Sequence, residues 1–234
     1  MPLDKGPMAK TATVPRKKRP TVPATKARLR PPPAGSGGYH HGALHEALLV
    51  AAERILERDG LPGLTLRAAA REAGVSHAAP THHFGDLTGL LSELAAVGFR
   101  RFAAALKEAV AGAGGFRAMG RAYVVFARAH PGLFTLMFRS ERLDLSRPAL
   151  REAMHASGEA LVRAVGAERH ETITRTAATL PQVADSVRSW AMVHGFAVLL
   201  LDGRLRNFLN VMPAGGDEMT LLDAVLSIQG PPGS

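Results

Sequence analysis

The sequence predicts an all-α protein, and three observations carry that expectation. From about Gly42 onward, apolar residues recur at three- and four-residue intervals, the spacing of one helix face. Glycine and proline fall at the edges of those runs, where helices start and stop. No stretch of alternating β-branched residues reads as a strand.

The elements follow in order. Leu44, Leu48, Ala51, Ala52, Ile55 and Leu56 form the apolar face of a first helix, and Glu46, Glu53, Arg54, Glu57 and Arg58 its wet face. Asp59 and Gly60 close it, with glycine in the position that favours a left-handed residue. Leu61, Pro62 and Gly63 form a turn. Thr65 then caps a short helix from Leu66 to Ala73, and Gly74 ends it. Ser76 is expected to cap a second short helix, about His77 to Phe84. After Gly85, Asp86 caps a long helix to about Ala111, roughly 37 Å at 1.5 Å per residue. Ala113, Gly114 and Gly115 break the chain. Further helices are expected at 116–130, 132–140, 147–165, 170–179, 182–202 and 219–228, with Pro131, Pro148 and Pro181 at starts or breaks.

Composition narrows the class. The 234 residues are 46% apolar, enough to bury a core. There is no cysteine, which excludes disulfides, thiolate metal sites and a cysteine nucleophile. The longest apolar run, Phe196 to Leu201, is far too short to span a bilayer. No N-terminal apolar segment resembles a secretory signal, and a cytoplasmic protein with no membrane partner is expected. The net charge of +9 is unevenly spread. Residues 1–38 hold nine Lys and Arg against the single acid Asp4, leaving twenty bases against nineteen acids in the rest. This stretch, rich in Pro and Thr and ending in glycine, predicts a disordered basic tail. Its densest cluster is Arg16, Lys17, Lys18 and Arg19.

The segment 65–84 carries the most specific signal. Two short helices crossing steeply need small residues at the crossing, here Ala69, Ala70 and Ala73. They also need a residue tolerant of positive φ in the turn, here Gly74. Val75 fills the corner. Such a helix-turn-helix lays its second helix in the major groove. An ordinary αα-hairpin is the plainer alternative.

With the flanks included, residues 40–101 resemble the TetR family of bacterial regulators. The matching stretches are Ala51 to Leu56, Asp59 and Gly60, Thr65 with Ala70, Ala73 to Ser76, and His83 with Phe84. The resemblance implies a three-helix DNA-binding head, a helical body that binds an effector and dimerises, and usually repression. Three departures stand out. Thr81 and His82 occupy the neighbourhood of a tyrosine that the family often uses on phosphate, and Leu87 stands where a phosphate-binding lysine is common. Pro80 lies near the first turn of the recognition helix, where proline costs least. The tail cluster Arg16, Lys17, Lys18 and Arg19 is the candidate replacement for those phosphate contacts, with a solubilising leader as the alternative.

Within the head, the candidate DNA contacts are Arg67, Ser76, His77, Ala78, Ala79, Thr81 and His82. His77, Thr81 and the two alanine methyls can meet base edges, while Arg67, Ser76 and His82 suit phosphate. His83 is expected to be structural and Phe84 core.

In the body, Val187, Trp190, Ala191, His194, Val198 and Leu201 share one helix face. Trp190, His194 and Gly195 resemble a Trp-His-Gly motif of one TetR C-terminal subgroup, and 129–134 fits it too. That face serves an effector pocket, a core or a dimer seam. Phe126, Phe134, Met137, Phe138 and Met154, with Trp190 and His194, are the candidate pocket residues, core packing being the other reading. Few charges interrupt these faces, so the effector is expected to be largely apolar or amphipathic. His40, His41 and His45 show no convergent ligand set, and no nucleophile elbow, phosphate loop or carboxylate pair occurs, so neither a metal, a cofactor nor an enzyme is expected. The expectation is three parts: tail 1–38, helix-turn-helix head 39–101 and effector-binding, dimerising body 102–234. Its partners would be double-stranded DNA with a pseudo-palindromic operator, a second copy of the chain and a small-molecule effector. A helical protein-interaction module without specific DNA binding is the runner-up.

Overall fold

Helix α1 (Gly37–Gly63) brings Leu48, Ala52, Ile55 and Leu56 inward, as their spacing requires. The computed structural model describes residues 37–111, 115–174 and 176–227, the first five by backbone alone. Gly60 (φ 68°, ψ −177°) breaks α1 where closure is expected, leaving Leu61 to Gly63 as a separate turn. Helices α2 (Leu66–Glu72) and α3 (Ala79–Phe84) follow, then the long α4 (Leu87–Ala111). Leu64, Ala69, Phe84, Leu90, Leu91 and Leu94 complete the cluster over α1. Each fully buried leucine or phenylalanine there contributes roughly 1.5–3 kcal/mol.

The remaining helices gather on α4 and α5. α5 (Gly115–Ala129), α6 (Pro131–Met137) and α7 (Pro148–Glu168) pack directly on α4. A 3-10 turn, Ser140–Arg142, joins α6 to α7. α8 (Leu180–Leu201) and α10 (Glu218–Ser227) pack on α5, with the short α9 (Arg206–Leu209) between them. Among the described residues there is no strand, and no helix is long and apolar enough to cross a membrane. The all-α class stands.

One expected helix is absent. Residues 170–174 and 176–179 are turn and coil rather than the helix expected at 170–179. The reason is a double termination. His170 takes a left-handed φ of 56° and closes α7 with paired bonds, Glu171 N–H to Gly166 at 2.8 Å and His170 N–H to Ala167 at 3.1 Å. A Cβ on Gly166 would lie 2.7 Å from the Glu171 carbonyl oxygen, so the turn needs that glycine. From the other side, Thr179 and Gln182 form a reciprocal capping box that starts α8. The segment between is caught between a stop and a start, and its threonines favour neither helix.

α8 also differs from expectation. Its buried side is Ser189, Val193, Phe196 and Ala197. Of the face picked out by periodicity, Val187, Trp190, Ala191 and Val198 are exposed on the chain. The pattern is real, but the face is divided: Val187 and Trp190 border a cavity and His194 is half-buried against Tyr123, while Ala191 and Val198 face outward.

Candidate nucleic-acid interface and body cavity

The helix-turn-helix is built by local bonds. Thr65 Oγ1 accepts the Ala68 N–H at 3.0 Å and caps α2. Gly74 (φ 68°) ends it, with Val75 N–H on Ala70 at 3.0 Å and Gly74 N–H on Arg71 at 3.1 Å. Ser76 does not cap α3 with its side chain, which corrects the expected start at His77. A helix beginning there would ask residue 80 to donate to the Ser76 carbonyl, and Pro80 has no N–H. The chain instead closes a turn, Ala79 N–H to Ser76 at 3.1 Å, and the helix begins at Ala79 with Pro80 in its first turn. Asp86 accepts the Gly89 N–H at 2.7 Å and starts α4 as expected.

Every head residue expected at DNA reaches the surface on this unit. Arg67, Ser76, His77, Ala78, Thr81 and His82 are exposed and Ala79 is half-buried, while Pro80 and Phe84 are buried beneath them. Ala78, Thr81 and His82 share one face of the α3 turn. His83 is half-buried with its ring edge-on to His45, 5.8 Å away, and Phe84 lies 4.9 Å from the same ring. The tail cluster Arg16, Lys17, Lys18 and Arg19 lies outside the described residues.

Two polar ties join these helices to the body, and sequence reasoning missed both. Arg147, just before α7, donates to the Phe84 carbonyl at the end of α3 and to Glu93 of α4, each at 3.1 Å. Glu93 also meets His45 Nε2 of α1 at 2.6 Å. On the other side, the Glu57 carboxylate accepts the Gly132 and Leu133 N–H groups at 2.8 and 2.9 Å, capping α6 from α1 across 75 and 76 residues. An anion at a helix N-terminus is the favourable placement. A Cβ on Gly132 would lie 2.7 Å from the Leu56 carbonyl, so glycine is what lets α6 approach. No sequence signal marks such long-range pairings of ordinary charged residues.

The body holds an open cavity of about 770 Å³ between α4, α5, α7 and α8. Phe99, Phe102 and Leu106 of α4, Met119 and Tyr123 of α5, Leu161 and Val162 of α7, and Val183, Val187 and Trp190 of α8 wall it. Of the expected pocket residues, Met137, Phe138, Met154 and Trp190 line it. Phe126 and Phe134 are buried in the core and are not part of the wall. His194 stands behind it, Nδ1 2.9 Å from the Tyr123 hydroxyl, which also accepts the Trp190 indole N–H at 3.3 Å. Burial pushes the Tyr123 phenol well up and the His194 imidazole down, so both are neutral. The α4 spacing of Phe99, Phe102 and Leu106 was readable in the sequence as a second apolar stripe on that helix.

Residues 48–94 match the model of bacterial regulatory proteins of the tetR family, and residues 116–219 that of the tetracyclin repressor-like C-terminal domain. This chain belongs to the TetR family. A protein of unknown function from Rhodococcus sp. RHA1 is 37% identical, with 81% of this chain and 94% of that chain covered and a TM-score of 0.63. A TetR-family transcriptional regulator from Pectobacterium atrosepticum shares the fold at 19% identity, covering 82% and 95% of the chains with a TM-score of 0.58. Another, from Marinobacter aquaeolei VT8, does so at 14% identity, covering 80% and 95% with a TM-score of 0.52. No curated protein matches the chain. As a TetR-family member, the protein is a DNA-binding transcriptional regulator and not an enzyme.

Proposed function

We propose that this regulator is a homodimeric repressor whose hold on a pseudo-palindromic operator is relaxed by a small, largely apolar effector. The observation that carries the reading is the span of α4. Its first half buries Leu90, Leu91 and Leu94 with Phe84 of the recognition helix, and its second half presents Phe99, Phe102 and Leu106 to the cavity. An effector that favours one placement of α4 therefore biases the position of α3, provided it binds the two states unequally.

The functional division is a tail at 1–38, a DNA-binding head at 39–101 and an effector-binding, dimerising body at 102–234, with α4 continuous across the second boundary. In the head, His77, Thr81 and the Ala78 and Ala79 methyls read base edges, and Arg67, Ser76 and His82 hold phosphate. Their exposure above a buried Pro80 and Phe84 supports this. The basic cluster Arg16 to Arg19 adds phosphate contacts that Leu87 and Thr81 do not supply. Two protomers pair through α8 and α10, which sets the recognition helices about one DNA turn, roughly 34 Å, or a multiple apart. The protein works in the cytoplasm, where its DNA lies.

Fluorescence anisotropy on the DNA upstream of its own gene tests the core of this. Binding at least ~10³-fold tighter than to a scrambled duplex is expected. Removing residues 1–38 should flatten the salt dependence of that affinity. A ligand that saturates the body yet leaves operator affinity unchanged would overturn the effector mechanism.

A further inference from the structure

The cavity is apolar, but its polarity is not evenly distributed. The Ser157 and Ser186 hydroxyls are spent on the Met154 and Gln182 carbonyls, at 2.8 and 2.9 Å. The Tyr123 hydroxyl is taken by Trp190 and His194. The basic groups of the lining lie toward the start of α7. Arg151 lines the cavity, is exposed to solvent at its rim, and has no carboxylate partner among the described residues. The neighbouring arginines are engaged, Arg147 with Glu93 and Arg169 with Asp185. One turn along α7 on the same face stands His155, with the Glu159 carboxylate at 3.8 Å, and the exposed Ser140 also lines the cavity. Among the described residues, no Asp or Glu lines the wall. From Arg151 to Val162 the lining face of α7 changes from basic to wholly apolar over roughly 16 Å at 1.5 Å per residue.

We propose that the cavity binds an amphipathic carboxylate, its alkyl or aryl body among the aromatic side chains of α4 and α8 and its anionic head on Arg151. This rests on the reading of the cavity as the effector site and names the class of molecule that fills it. A guanidinium without a protein partner keeps its full donor set for a bidentate carboxylate. With no carboxylate among the described wall residues, a cationic ligand finds no group there to neutralise it. A neutral ligand of the same shape gains the apolar contacts and forgoes the charged one.

Trp190 is the chain's one tryptophan and it lines the cavity, so its fluorescence reports occupancy without DNA. Decanoate, decanol and decylammonium are titrated separately against the full-length protein. Decanoate is expected to bind at least about tenfold tighter than decanol, the scale of a charged hydrogen bond, with decylammonium weakest. Arg151→Met should bring decanoate down to the level of decanol and leave decanol unchanged, while Arg151→Lys keeps part of the preference. Equal affinity for all three, preference for the amine, or no response of Trp190 to any of them each overturns the proposal. The ranking in the unaltered protein decides it even if a variant folds poorly. Operator anisotropy in the same samples separates the two ideas. Decanoate that binds through Arg151 without loosening DNA sinks the effector mechanism and leaves the ligand class standing.

Discussion

At the scale of single residues, Thr65 and Ser76 look alike in sequence and do different work. Both precede short helices, but only Thr65 accepts a helix N–H, and Pro80 shifts the start of α3 beyond the reach of Ser76. Thr65→Ala should therefore lower stability by about 1 kcal/mol in urea titration. Ser76→Ala should leave the unfolding midpoint in place and weaken operator binding, because its exposed hydroxyl is free to meet phosphate. A shared fall in stability would return Ser76 to a capping role. His194 gives a pH prediction. Burial holds its folded pKa below the ordinary 6.5, so below that value the unfolded chain binds the extra proton. Stability should then be full above pH 6.5 and decline as pH falls toward the folded pKa. His194→Gln should remove that part of the acid sensitivity, read as a flatter plot of unfolding midpoint against pH. Cap, turn and core residues were legible because each follows from its near neighbours. The exception at Ser76 turned on a proline four residues away. Arg151 was not legible at all, since a lone arginine on an amphipathic helix looks the same whether it faces water or a cavity.

At the scale of elements, periodicity placed α1, α2, α4, α5, α7, α8 and α10, and α6 in a shorter form than the expected 132–140, and it failed where two caps fell close together. The helix expected at 170–179 was lost to the left-handed His170 and the Thr179 capping box, which act over only a few residues and outweigh a weak local preference. The short α9 and the 3-10 turn carry too few residues to show a period. Nor does any pattern within one helix reveal which partner caps it. The α6 N-terminus is held by Glu57 from α1, so two hydrogen bonds tie the head's first helix to an element whose Met137 lines the cavity. Glu57→Gln replaces one acceptor with a donor facing an N–H. It should cost roughly 1–2 kcal/mol of stability. It should also blunt the effector's influence on DNA more than it changes effector binding itself. Trp190 titration and operator anisotropy measure the two separately, and an equal loss in both would mean Glu57 acts only on the fold.

At the scale of the whole molecule, the exposed stripe of α8 is the feature a single chain leaves unfinished. Ala184, Ala191, Val198 and Leu199 are exposed, the first three seven residues apart on one side of the helix, and among the described residues no neighbouring element lies within 4 Å of where a Gly195 side chain would stand. Past the end of α8, Phe208 and Val211 are 62% and 82% exposed. Apolar side chains gathered in this way mark a surface meant to be covered. The adjacent edge of the same helix, Val183, Val187 and Trp190, walls the cavity, so covering the stripe and filling the cavity act on one helix from two sides. Val198→Arg places a charge in the stripe at a partly exposed position, so the fold should survive while pairing fails. Sedimentation velocity should show the unaltered protein at twice the chain mass and the variant at one. Affinity for a full operator should fall on the order of a hundredfold or more, to that of a half-site, because the second head no longer arrives at high local concentration. A variant that stays dimeric would move the seam off this stripe of α8. One that turns monomeric yet keeps full operator affinity would show that a single head suffices.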